Sequence, residues 1–221
     1  MSGEGSAPGT GRLVTATAWT VLLLALWLWG KDLTDGALPQ PARGAATAER
    51  AGDGRPLPPA RAPLADAGPP RHLAIAEIGV DADVVGRGLD ADGAVDPPPM
   101  SRAETVGWYT GGASPGEEGT AVLVGHVDTE TERAVFYELS TLRPGAEVAV
   151  TRADGSLAAF TVEDVEVVER DSFDADRVYG QRHAGRAELR LITCGGSYDE
   201  EADSYTANVV VSAYLSGTGE A

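Results

Sequence analysis

From His72 onward the chain is written as short apolar runs, LAIAEI, DADVV, AVLVG, AEVAV, AAFTVEDVEVV, ELRLITC and NVVVSAY, separated by Gly, Asp and Pro turn signals. Runs of this length suit strands rather than helices. Seven or so strands with few helical patterns predict a mainly β domain over residues 72–216, either a closed barrel or a sandwich. Within AAFTVEDVEVV, Phe160 and Val162 keep one alternation, and Val165 and Val167 restart it one residue out of phase. That slip predicts a bulge or a break. Only Glu132 to Leu142 carries helical spacing, with Phe136, Leu139 and Leu142 on one face and Arg143-Pro144-Gly145 as the stop. No internal repeat is apparent, and residues 217–221 read as a tail.

The region before this domain has a different composition. Leu13 to Gly30 is an uncharged stretch, LVTATAWTVLLLALWLWG, with Trp27 and Trp29 near one end. At about 1.5 Å per residue it covers roughly 27 Å, enough to cross a hydrocarbon core. Lys31-Asp32-Leu33 follows it with no small-residue cleavage site, so the expectation is an uncleaved transmembrane helix over 13–30 behind a short cytoplasmic tail over 1–12. Residues 31–71 are dominated by Pro, Ala, Gly and charge, which cannot build a core and predict a disordered linker acting as a stalk. The expected arrangement is a single-pass protein of the cell membrane with its folded domain extracytoplasmic.

Charge and cysteine usage exclude several function classes. The formal net charge is −17, with 17 Lys and Arg in all, which argues against a partner with a phosphate backbone. One Cys forms no intrachain disulfide and no thiolate cage, and His72, His126 and His183 lack metal-ligand spacing. No metal or cofactor is expected. Cys194 is then either a small buried apolar residue or a reactive thiol.

Its context favours the second. In Leu191-Ile192-Thr193-Cys194-Gly195-Gly196 a strand delivers the thiol at its end, and two glycines allow a substrate to approach closely. Ala121-Val122-Leu123-Val124-Gly125-His126-Val127-Asp128 ends another apolar strand on an imidazole, with a carboxylate two residues on. By spacing alone such a His is more often a capping or surface residue than a catalyst.

The two strand ends together resemble the sortase family. Glu77-Ile78-Gly79-Val80-Asp81-Ala82, Gly88-Leu89-Asp90-Ala91-Asp92-Gly93-Ala94-Val95-Asp96-Pro97-Pro98-Pro99, Gly107-Trp108-Tyr109 with Gly111-Gly112, and Asn208-Val209-Val210-Val211 extend the resemblance, toward actinobacterial class F or class E. The resemblance implies a sortase-like eight-stranded β-barrel with short helices, in which Cys194 and His126 face one groove. It implies a cysteine transpeptidase that attacks the Thr-Gly carbonyl of an LPXTG-like sorting signal and passes the acyl group to a peptidoglycan-precursor amine of a Gram-positive cell wall, with hydrolysis as the side reaction. His126 would raise the thiolate fraction, protonate the leaving amine and deprotonate the incoming one. Thr193, Gly195 and Asn208 would shape the substrate groove.

The sequence departs from the family at one catalytic position. An Arg is expected on the strand after the Cys, and Thr206 stands there; losing one oxyanion donor costs about 2.7–4 kcal/mol. Arg190 shares a strand face with Cys194 but lies roughly 13 Å away at about 3.3 Å per residue. Arg102, Arg133, Arg177 and Arg182 fall in expected loops. A milder departure is Ala76, where related sequences have Pro. The alternatives are a sortase-like module that binds peptide tails with weak or no turnover because of Thr206, and a structural barrel with an inert Cys.

Overall fold

A computed structural model describes residues 51, 54–65, 68–202 and 204–220. The transmembrane stretch 13–30, the tail 1–12 and the linker through residue 50 lie outside them. Among the described residues no helix is long and apolar enough to cross a membrane.

Eight strands form the domain: β1 (Pro70–Ile75), β2 (Val80–Arg87), β3 (Val106–Tyr109), β4 (Gly119–Val124), β5 (Glu147–Arg152), β6 (Ser156–Glu169), β7 (Ala187–Asp199) and β8 (Ser204–Glu220). They close into a barrel in the order β1-β2-β3-β4-β7-β8-β6-β5, with β2–β3 and β4–β7 parallel and every other pair antiparallel. Closure leaves no unpaired edge, which resolves the choice between barrel and sandwich.

Side-chain alternation sorts the strands into two apolar layers. Leu73, Ile75, Leu123, Phe136, Phe160, Leu189, Leu191, Val211 and Leu215 fill the barrel interior, each fully buried. Each such burial is worth roughly 1.5–3 kcal/mol relative to exposure. Val122 and Val124 of β4, Ile192 of β7, Val210 of β8 and Val168 of β6 form a second cluster on the outer face with Val95 and Val178. Strands covered on both faces lose the polar alternation, which is why AVLV of β4 and VVV of β8 are continuous apolar runs.

The slip in AAFTVEDVEVV is a bulge. Val162 pairs with Ala213 and Asp164 with Ser212, so Glu163 is the extra residue. Beyond it Val165 again packs toward the core.

Two expectations fail locally. Glu132 to Leu142 is not a helix. The backbone N–H groups of Ala134, Val135 and Phe136 donate to the carbonyls of Val127, Ala103 and His126, so they are spent on other segments, and a 3-10 turn at Leu139–Thr141 is all that winds up. Phe136, Leu139 and Leu142 are nevertheless core residues. Conversely, a short helix α1 (Ala175–Tyr179) forms where none was expected, its N-cap Asp174 accepting from the backbone N–H of Asp176 and Arg177.

The barrel also takes in residues read as linker and tail. Arg61 N–H donates to Leu215 O at 2.8 Å, Leu64 N–H to Gly116 O at 2.7 Å, and the Tyr214 hydroxyl to Pro58 O at 2.6 Å. Pro70 and Arg71 already belong to β1. β8 runs on to Glu220, which pairs with Ser156, because β6 is long enough to give residues 217–220 a partner.

Candidate active site

The parallel pairing of β4 with β7 brings the segments that carry Cys194 and His126 side by side. Val124 is the register partner of Ile192, and Gly125 N–H donates to Ile192 O at 3.1 Å, which extends that pairing one step past the end of β4. His126 and Cys194 each lie two residues beyond those partners, at one level of neighbouring strands about 4.8 Å apart. Even spacing puts Cys194 on the outer face with Ile192, while His126 lies just past the end of β4 with its ring turned to the Pro98 carbonyl. Across β7–β8, Cys194 pairs with Asn208, and Asn208 pairs in turn with Val168 of β6.

The imidazole is held in one tautomer. His126 Nε2 lies 2.6 Å from the carbonyl oxygen of Pro98, so in the neutral ring Nε2 carries the proton and Nδ1 is left as the acceptor. The Pro98 segment is fixed by Arg87, whose guanidinium pairs with the Asp96 carboxylate and donates from Nε to Asp96 O at 3.1 Å. Among the described residues no hydrogen bond joins the thiol to the ring, so proton transfer between them requires side-chain movement or the arrival of substrate.

Cys194 is exposed, yet the surrounding walls still desolvate its thiol and push it above the ordinary value. The positive charge of Arg170 opposes that rise and the negative charge of Asp128 adds to it. The resting nucleophile is therefore a neutral thiol that needs a base, and His126 is the base within reach of its strand.

The remaining expected residues divide by face. Asn208 is half-buried beside Cys194. Thr193 is 4% exposed and shares the inward face of Leu189 and Leu191, so it cannot line an outer groove. Gly195 is a packing requirement: a Cβ there would sit 2.7 Å from Val209 Cγ2. Gly196 has φ +78 and lies in a second bulge, where β7 has one residue more than β8 between the pairs Gly195–Ala207 and Tyr198–Tyr205. Thr206 clips that bulge, its Oγ1 accepting from Ser197 N–H at 3.1 Å.

Two groups near the thiol carried no sequence signal. The Tyr205 hydroxyl donates to Asp128 Oδ2, joining the segment after His126 to the strand after Cys194, with Tyr198 edge-on to the Tyr205 ring at 5.4 Å. Arg170 begins the 3-10 turn after β6 and donates from Nη1 to Tyr205 O at 3.3 Å. Of the arginines in expected loops, Arg177 and Arg182 are tied to Glu166, and Arg133 pairs with Glu138 and covers the Tyr137 ring; Arg190 is buried against Glu188 at 2.8 Å. The positive charge that bears on Cys194 is that of Arg170.

A closed eight-stranded barrel with a thiol inside β7, which runs on past it to Asp199 rather than ending there as the sequence suggested, and an imidazole just beyond the end of the parallel neighbour β4 defines a barrel-borne cysteine site. The sortase domain model matches residues 73–216, and the chain belongs to the sortase family, whose members are cysteine transpeptidases. No curated protein matches it. Among solved structures it is similar to the SrtA sortase of Actinomyces oris (21% identity, 74% of this chain and 88% of that one, TM-score 0.53). It is also similar to sortase A of Listeria monocytogenes (17% identity, 71% and 92%, TM-score 0.52) and to sortase C-1 of Actinomyces oris (22% identity, 65% and 72%, TM-score 0.50). At these identities the likeness speaks for the fold.

Proposed function

We propose that the protein is a sortase transpeptidase of the class E or F type, with Cys194 as nucleophile and His126 as its acid and base. The observation that supports the reading is the β4–β7 register, in which Val124 opposite Ile192 brings the segment carrying His126 alongside Cys194. The substrate is an LPXTG-like sorting signal. His126 accepts the thiol proton as Sγ bonds to the threonine carbonyl carbon, and the carbonyl electron pair moves to oxygen. Collapse of that intermediate breaks the C–N bond, and the imidazolium returns the proton to the leaving amine. A cell-wall amine then attacks the thioester, losing a proton to His126, and restores the thiol; water in its place gives hydrolysis. On this reading residues 13–30 anchor the chain in the cell membrane, with the barrel on the extracytoplasmic side.

Incubation with a fluorescent LPXTG-like peptide and hydroxylamine should give the peptide hydroxamate, with product lost in Cys194→Ala and His126→Ala. Undiminished product in Cys194→Ala would exclude the thiol mechanism.

A second reading, a peptide-binding module with little turnover, is favoured by Thr206 in the expected Arg position and by the raised Cys194 thiol. It predicts saturable peptide binding without hydroxamate.

A further inference from the structure

We propose that Arg170, carried on the turn after β6, supplies the positive charge at the reacting carbonyl that Thr206 does not. The inference rests on the transpeptidase reading. Attack of the thiolate on a carbonyl leaves negative charge on oxygen, and a preorganised donor beside that oxygen is among the largest contributions to such reactions.

The register shows how an arginine on another strand arrives there. Cys194 pairs with Asn208 and Asn208 with Val168, so the three lie in one row across β7, β8 and β6. Glu169 pairs with Ala207, and the next residue, Arg170, comes beside Thr206 at the strand's end. From Cys194 this is two strand spacings of about 4.8 Å and about two residues along the sheet, a gap that a long arginine side chain closes in large part. The side chain does turn toward β8, because its Nη1 binds Tyr205 O, adjacent to Thr206.

Its availability separates it from the other arginines. Arg177, Arg182 and Arg190 are each held by Glu166 or Glu188. Arg170 is exposed, and among the described residues its guanidinium pairs with no carboxylate. One carbonyl engages one of its five N–H donors, which leaves others for an oxyanion. Its charge already acts on the Cys194 thiol in the resting protein, favouring the thiolate. Thr206, meanwhile, is occupied in holding the Gly196–Ser197 bulge.

The test uses the full-length chain as wild type, Arg170→Gln, Arg170→Lys and Arg170→Gln with Thr206→Arg. Two readouts are needed: the pH profile of Cys194 alkylation by iodoacetamide, which requires no substrate, and kcat and KM for hydrolysis of an LPXTG-like peptide. Arg170→Gln should move the alkylation midpoint to higher pH and lower kcat by about 10² to 10³ with KM little changed, while Arg170→Lys keeps the midpoint near wild type and an intermediate kcat. Adding Thr206→Arg to Arg170→Gln should recover part of kcat, which a merely structural role for Arg170 would not allow. An Arg170→Gln protein with unchanged midpoint and unchanged kcat overturns the proposal, as does a fall in kcat with a wild-type midpoint and no recovery by Thr206→Arg. A wild-type chain that does not turn the peptide over rejects the transpeptidase reading instead, and the alkylation profile then decides alone: an unchanged midpoint in Arg170→Gln overturns the placement of the cation.

Discussion

The Tyr205 hydroxyl donates a hydrogen bond to the carboxylate of Asp128 across the β7–β4 side of the site. Asp128 lies two residues past His126, and Tyr205 lies one residue before Thr206 on β8. The bond therefore ties the base-bearing segment to the strand that flanks the nucleophile. Donation to a carboxylate holds the phenol proton, and Tyr205 is pushed up to about 12. In a spectrophotometric titration, the component lost in Tyr205→Phe should be one that ionises near that pH. A lost component at the ordinary tyrosine value of about 10 would mean that the bond is not formed in solution.

Asp128 also bears on the thiol. Burial raises Cys194 first, and the Asp128 charge raises it further. Alkylation of Cys194 should accordingly show a midpoint above the free-cysteine value of about 8.5, and Asp128→Asn should bring it down while keeping an acceptor for Tyr205. A midpoint that rises in Asp128→Asn would contradict the sign.

The Gly196 backbone should not tolerate a side chain. Its φ of +78 disfavours any Cβ, and one built there would lie 2.5 Å from Thr206 Oγ1 and 2.9 Å from Ala207 Cβ. Gly196→Ala is expected to destabilise by about 1–3 kcal/mol in urea unfolding, with peptide turnover falling as the β7 backbone beside Cys194 shifts. Gly155→Ala, with φ +84 and open space around it, isolates the backbone strain from the clash and should cost less.

Glu188 and Arg190 are 2% and 1% exposed and face each other on the outer side of β7. Burial alone would raise the Glu188 carboxyl, but hydrogen bonds from Arg182 N–H, the Arg190 guanidinium and His183 N–H outweigh it and hold the group low. A depressed carboxylate adds stability above its unfolded value of about 4.3, and that contribution is lost as pH falls through the folded value. Glu188→Gln should therefore flatten the acid limb of the stability profile and cost about 3–5 kcal/mol by leaving Arg190 buried and uncompensated. An acid limb identical to wild type would refute the assignment.

Residues whose role is set by their own strand were legible from the sequence. The strand runs, the slip around Glu163 and the outward face of Cys194 depend on local alternation, but Cys194 lies within β7 rather than at its end, because β8 gives Gly195, Tyr198 and Asp199 partners. Features set by long-range pairing were not. The helical spacing of Phe136, Leu139 and Leu142 marks buried positions, but their segment stays irregular because its amides serve Val127, Ala103 and His126. β3 is four residues long and carries too little pattern to stand out. Arg170 reaches the thiol's surroundings only through the β6–β8 register, and no local pattern relates it to residues near 206. Thr193 misled because strand residues alternate faces, and its odd position turns it inward beside Leu191.

The central claim, that Cys194 is a nucleophile assisted by His126, is tested most directly by intact mass after incubation with an LPXTG-like peptide. The account predicts an acyl adduct on wild-type protein, absent in Cys194→Ala and strongly reduced in His126→Ala, that disappears on adding hydroxylamine. An unmodified mass after prolonged incubation, with the peptide demonstrably bound, would contradict it.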